Sequence, residues 1–257
     1  MIEKLSKRKT IALIIILDVM LYVGFKLIIV YYQDLYMSND IYEIKYSEAK
    51  TINIKSYTKE QVSETTYFSN KSDAYKMKVK NYFDGFEAGD ADTNYEYYML
   101  YDENDKVNAA FMMGQFDTEI KKIDLMDKSS QYYEFNYFPQ YISTYLRDKF
   151  LSKHNIENDI DLIKYIRERE KLNCTFFTPL ISIKENYFFN FIEATLPDIN
   201  NVTYIEGDIE GYIIEEDGYK MACIVKDDKL YCLTFFKLEY FNDEIIEDVL
   251  KSLIIEK

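Results

Sequence analysis

Apolar residues follow one another from Ile11 to Tyr32, and only Asp18 and Lys26 carry charge within the run. These 22 residues make a helix of about 33 Å, which matches a hydrocarbon core of about 30 Å. The run is longer than the apolar region of a signal peptide, and no small-residue cleavage site follows it. It therefore predicts an uncleaved signal anchor. Lys4, Lys7, Arg8 and Lys9 precede it, and no basic residue follows before Lys45, so the N-terminus is expected in the cytoplasm and the remainder outside. Lys26, six residues from Tyr32, is placed to snorkel to the outer interface. Asp18 lies near mid-depth. Either the surrounding Ile and Leu tolerate it, or an intramembrane contact from a partner helix hydrogen-bonds it.

Beyond the anchor the period changes. "KTINIKSY" and "AYKMKVKNYF" alternate apolar and polar positions, the mark of half-buried strands. "NYEYYMLYDENDKVNAAFMMGQF" places two apolar runs around a turn signal and predicts a hairpin. "YYEFNYF", 132–138, is a further strand candidate. A helical period then takes over. Pro139 opens a stripe of Tyr141, Ile142, Tyr145, Leu146 and Phe150, and a second stripe holds Ile160, Ile163 and Ile166. In "SIKENYFFNFIEATLP", Ser182 and Glu185 are spaced as a capping box, ahead of Tyr187, Phe188, Phe191 and Ile192.

The last third reads as a meander that turns at Asp217–Gly218 and Asp227–Asp228, which sets Tyr212 opposite Cys223 and Cys223 opposite Cys232. An Asn242-capped helix with Ile245, Ile246, Val249, Leu250 and Leu253 on one face closes the chain. The pattern as a whole predicts an α+β protein: an N-terminal transmembrane helix, then an antiparallel-sheet domain with helices packed on it. The expected segments are a cytoplasmic basic tail, 1–10, a transmembrane signal anchor, 11–32, a stalk, 33–49, and an extracytoplasmic α+β domain, 50–257.

Composition adds charge to this picture. The chain of 257 residues has a formal net charge of −14. Through Met37, Lys4, Lys7, Arg8, Lys9 and Lys26 outweigh Glu3, Asp18 and Asp34 by +2, which leaves −16 on the rest. A surface of that sign excludes nucleic acid and anionic head groups as natural partners and suits a basic protein. The 26 Tyr and 17 Phe, with no Trp, follow the Lys, Ile and Asn bias of an AT-rich genome.

Candidate chemistry is sparse. Cys223 and Cys232 form a non-hydrogen-bonded pair when counted outward from the Asp227–Asp228 turn, and such pairs bring Cα atoms to about 4.5 Å, within reach of a disulfide. Both strands are apolar on both faces, so buried thiols fit the same residues. With no C-x-x-C and one His, no metal site or cofactor is expected, and His154 reads as the end of a helix. Asp90, Asp92, Asn94 and Glu96 imitate a calcium loop, but Tyr95 and Tyr101 stand where it needs Gly and Glu. No catalytic residue stands out.

"YLRDKFLSKHNIENDIDLIKYI", "KENYFFNFIEATLP", "YIEGDIEGYI", "DDKLYCLTFF" and "EIIEDVLKSL" resemble a group of uncharacterised, single-span membrane-anchored proteins of low-GC Gram-positive bacteria. The resemblance covers the second half of the chain. It implies location and architecture and brings no activity. The layout is also similar to that of membrane-tethered immunity proteins. The expected function is accordingly a tethered binding protein, in immunity or an envelope complex, that engages a basic protein partner. The alternative is an envelope-polymer hydrolase built on a carboxylate pair.

Overall fold

The computed structural model describes residues 7–37, 46–58, 60–61, 65–69, 76–80, 85–89, 95–122, 144–169, 175 and 177–256. The chain falls into two compact units, one of Met1–Lys45 with Glu170–Phe191, the other of Tyr46–Arg169 with Ile192–Lys257.

In the first unit the apolar run forms helix α1, Lys7–Met37. Its stretch Lys9–Ile28 is long and apolar enough to cross a membrane. Gln33–Met37, expected in the stalk, continue the helix. At the other end of the expected stalk, the Ser47 hydroxyl donates to the Asn200 carbonyl at 2.6 Å, so this stretch belongs to the second unit.

The second unit is built on a sheet of eight strands. In chain order the strands of the chain are β1 Lys50–Ile54, β2 Thr65–Ser69, β3 Lys76–Lys80, β4 Glu87–Ala88, β5 Tyr95–Tyr101, β6 Val107–Asp117, β7 Val202–Gly207, β8 Gly211–Glu216, β9 Tyr219–Lys226, β10 Lys229–Phe236 and β11 Ile254–Glu256. The large sheet runs β1-β7-β8-β9-β10-β6-β5-β4, and β11-β3-β2 make a small second sheet. The expected turns set the meander. Tyr219 pairs with Glu216 across Asp217–Gly218, and Lys229 pairs with Lys226 across Asp227–Asp228. Asp227 and Asp228 both have positive φ, 51° and 57°, as a type I′ turn requires. Cys223 faces Tyr212 on one side and Cys232 on the other, the register read from the sequence. One edge departs from the antiparallel expectation: β1 pairs with β7 in parallel. No hairpin turn joins these two strands, so no local signal fixes their relative direction.

Gly207 and Gly211 mark where backbones meet. A Cβ at Gly207, whose φ is +117°, would stand 2.3 Å from the Ile54 carbonyl oxygen, and one at Gly211 would stand 2.1 Å from that of Cys223. Only glycine lets β7 approach β1, and β8 approach β9, so closely at these points.

Two of the four helices among the described residues beyond α1 lie on opposite faces of this sheet. Helix α2 is Thr144–Lys153, α3 Asp159–Glu168, α4 Leu180–Thr195 and α5 Asp243–Ser252. The Asn242 side chain accepts from the Ile245 N–H at 3.0 Å and starts α5 where expected. Its Ile246, Val249 and Leu250 pack with Ile205, Leu233 and Phe235 in the main core. On the opposite face α3 buries Ile160, Ile163 and Ile166 as the stripe predicted, and Lys164 lies 5.0 Å from the centre of the Tyr204 ring.

Helix α4 starts earlier than the proposed capping box. Pro179 precedes its first residue and its carbonyl accepts the Ile183 N–H at 3.1 Å, so Ser182 and Glu185 are already inside the helix. Proline's fixed φ begins the helix before Ser182 can act as a cap. Along α4, Ile183, Phe189 and Ile192 are buried. Pro139, Tyr141, Ile142, the 132–138 strand candidate, Cys174 and the Asp90–Asn94 part of the calcium-like loop lie outside the described residues.

Candidate functional site

A shallow acidic surface of the second unit lies on α5. The apolar stripe turns inward, which leaves Glu244, Glu247, Asp248 and Lys251 to line an open groove of about 410 Å³ with Ile245. Three carboxylates against one ammonium make the groove acidic. The loop after β1 holds its wall in place. The Tyr57 N–H donates to the Lys251 carbonyl at 2.8 Å, and the Tyr57 hydroxyl donates to Asp248. Lys251 also pairs with Glu247 at 2.6 Å, and that hydrogen bond pushes its ammonium pKa up, so the lysine stays charged. A groove of this kind can take a cationic side chain between Glu244 and Asp248, with Tyr57 as an aromatic border.

The cysteines lie on the sheet face under α3. They belong to a row across the strands that reads Tyr204, Tyr212, Cys223, Cys232, Gly114 and Tyr95. Cys223 and Cys232 are buried thiols whose sulfurs lie 2.9 Å apart. Burial, reinforced by the contact with Cys223, pushes the Cys232 thiol well above its ordinary value. Burial also raises the Tyr212 phenol. A thiol in that state is a poor nucleophile, and its chemistry is confined to its neighbour.

Two carboxylates meet beside this row. Asp159, 0% exposed at the start of α3, accepts the Glu119 N–H at 2.8 Å and the Ile120 N–H at 3.2 Å. It caps a helical turn that begins at Glu119, from a position 40 residues away in sequence. Glu119 is buried too and pairs with Lys122 at 2.5 Å. The pair is closed to a polymer substrate, because its oxygens face the backbone and a lysine. Burial outweighs the two N–H bonds and pushes the Asp159 carboxyl up to about 6. The folded state therefore takes up a proton between an unfolded value of about 4 and about 6. The stability this adds is full below that window and lost as pH rises through it. Asp159→Asn is expected to remove that slope. Wild type should gain about 2–3 kcal/mol on the variant between pH 7 and pH 4, read from denaturant midpoints at each pH.

A second buried polar group ties the chain ends of the unit together. Arg169 and Glu193, 6% and 7% exposed in their side chains, pair at 3.1 Å. Tyr46 also donates its hydroxyl to Glu193, and burial is the main reason its phenol is raised far above the ordinary tyrosine range. Arg167 lies 5.1 Å from the centre of the Tyr46 ring and donates to the carbonyls of Ile199, Asn200 and Ser47. No signal in the sequence marks this network, whose members are spread from Tyr46 to Asn200.

In the first unit Asp18 is exposed on α1, with no partner among the described residues. Lys26 is 3% exposed and donates its ammonium hydrogen to the Thr178 carbonyl. It ends on protein, where snorkelling to the head groups was expected. His154 follows α2 directly and stacks on Tyr165 at a ring separation of 4.5 Å, the helix-end position expected for it.

Compared with known families and curated proteins, the chain matches no family model and no curated sequence.

Proposed function

We propose that the chain is a membrane-tethered binding protein of the single-span kind found in low-GC Gram-positive bacteria. Its folded part stands outside the cytoplasmic membrane and binds a basic protein partner through the acidic groove on α5. The observation that carries this reading is the groove itself, where Glu244, Glu247 and Asp248 surround an open volume on a chain whose residues beyond α1 carry −16. The basic flank of Lys4, Lys7, Arg8 and Lys9 before the apolar run, with no basic residue between Tyr32 and Lys45, supports the orientation. Within this class the role is immunity toward a secreted toxin or membership of an envelope complex. A field of this sign speeds encounter with a cationic partner and weakens over a Debye length of about 8 Å at physiological salt.

The test uses the full chain in detergent micelles as bait for envelope extract. A basic protein should be captured at low salt and lost at high salt. Glu244→Lys with Glu247→Lys should weaken the captured complex at least about tenfold, or about 1.4 kcal/mol. Capture indifferent to both salt and charge reversal would overturn the groove as the binding face. Turnover of peptidoglycan or another glycan, abolished by a single Asp or Glu substitution, would establish the hydrolase instead.

A further inference from the structure

Helix α1 carries one group that lipid cannot serve. Its Lys9–Ile28 stretch is only 6% buried, so most of its wall is open to whatever surrounds it. Ile14, Ile15, Leu21 and Tyr22 are each more than half exposed, and acyl chains suit such side chains. Asp18 is exposed among them, three or four residues from each and so on the same helix face.

Its depth leaves it no way out to water. Asp18 lies seven residues after Ile11 and ten before Ile28, about 10 Å and 15 Å of helix rise. The apolar run continues to Tyr32, which only deepens it on that side. A side chain one methylene long reaches neither boundary. A carboxyl group at such a depth is costly unless another polar group answers it.

The protein does not supply that group from Lys26. This lysine stands eight residues on, about 12 Å along the axis and about 80° around it. Its ammonium already donates to the Thr178 carbonyl. A second copy of the chain fails for a related reason. Two copies share one orientation in the membrane, so neighbouring α1 helices would set Asp18 against Asp18. The second Lys26 would again lie about 12 Å away in depth.

We propose that the Asp18 face of α1 docks onto the span of a different membrane protein that carries a Lys or Arg at the same depth. Charge complementarity selects this occupant. Acyl chains offer no donor, and a cation within a partner's span has the same need for a counter-ion. Ile14, Ile15, Leu21 and Tyr22 frame the contact with apolar packing. The proposal rests on α1 crossing the membrane and is independent of the groove on α5.

The test places the photo-reactive residue benzoylphenylalanine in the full chain, in the cells that produce it. It replaces Leu21, three residues from Asp18, or Met20, about 200° around the helix from Asp18. Illumination at position 21 should join the chain to a peptide from a membrane span that contains Lys or Arg, and position 20 should not. Asp18→Leu, which inserts more readily, should lower the adduct yield at least about tenfold. Asp18→Glu should retain most of it, and Asp18→Lys should regain it when the partner's basic residue is changed to Asp. Adducts to lipid alone, to a second copy or to a span without a basic residue would overturn the proposal. So would a yield unchanged in Asp18→Leu. Glu244→Lys with Glu247→Lys should leave this adduct intact, so a failure of the groove is read separately. A chain released from membranes by alkaline carbonate would remove the span, and the contact with it.

Discussion

Replacing Glu193 by alanine is expected to cost the folded chain about 3–5 kcal/mol. Arg169 is held in a nearly dry site, 6% exposed in its side chain, and Glu193 faces it at 3.1 Å. Removing the carboxylate leaves the guanidinium charge in place without that counter-ion, and takes the acceptor from the Tyr46 hydroxyl as well. The loss of one partner in a buried pair is more costly than the loss of both, since the remaining charge cannot regain its hydration. Arg169→Met with Glu193→Leu should therefore recover much of the deficit. Urea midpoints for the two variants and wild type measure this directly. A Glu193→Ala protein within about 0.5 kcal/mol of wild type, the usual range for a surface substitution, would mean that water reaches the pair.

The second large effect concerns Cys223 and Cys232. If the folded part is exported, the two thiols are expected to lose two electrons and two protons to a disulfide-donating oxidase and to join as a cystine. The meander supplies the conditions, with the residues directly opposed at a non-hydrogen-bonded position. Closing so short a loop restricts the unfolded chain by about 2–3 kcal/mol. Because both cysteines are buried and the Cys232 thiol pKa is raised, neither oxidant nor alkylating agent reaches the pair in the native state. The bridge must form while the strands are still opening. Protein taken from cells with thiols trapped, then denatured without reductant, should give a linked 223–232 peptide. It should melt at lower denaturant once reduced. Full alkylation of both cysteines in that sample would show a thiol pair and argue for a reducing compartment.

Local signals carried much of the fold. The two-residue turns at Asp217–Gly218 and Asp227–Asp228 determine every pairing from β8 to β10, because side chains alternate with a period of two and a turn of known length leaves no freedom. The Asn242 cap and the α3 stripe were likewise legible. What escaped has a common cause. β1 meets β7 across some 150 residues, and Asp159 caps a turn that begins 40 residues before it. Tyr46 reaches Glu193 from 147 positions away. None of these distances has a spacing rule. The start of α4 was misplaced because Pro179 acts before the Ser182–Glu185 spacing can. For the candidate site, the acidic excess pointed to a basic partner but is spread over the whole chain. Helical spacing already sets Glu244, Glu247 and Asp248 on one face of α5, and the fold adds Tyr57 from 191 positions away.

The parallel pairing of β1 with β7 has a bearing on biosynthesis. β1 leaves the ribosome well before the strand that covers it, which begins at Val202. At about 5–20 residues per second, the intervening stretch takes on the order of 8–30 s to synthesise. Through that interval β1 lacks the neighbour it pairs with in the finished sheet and stays open to any extended segment nearby. The edge is closed only when the last third of the chain arrives, so a nascent chain that stalls before Val202 stays a target for chaperones and proteases.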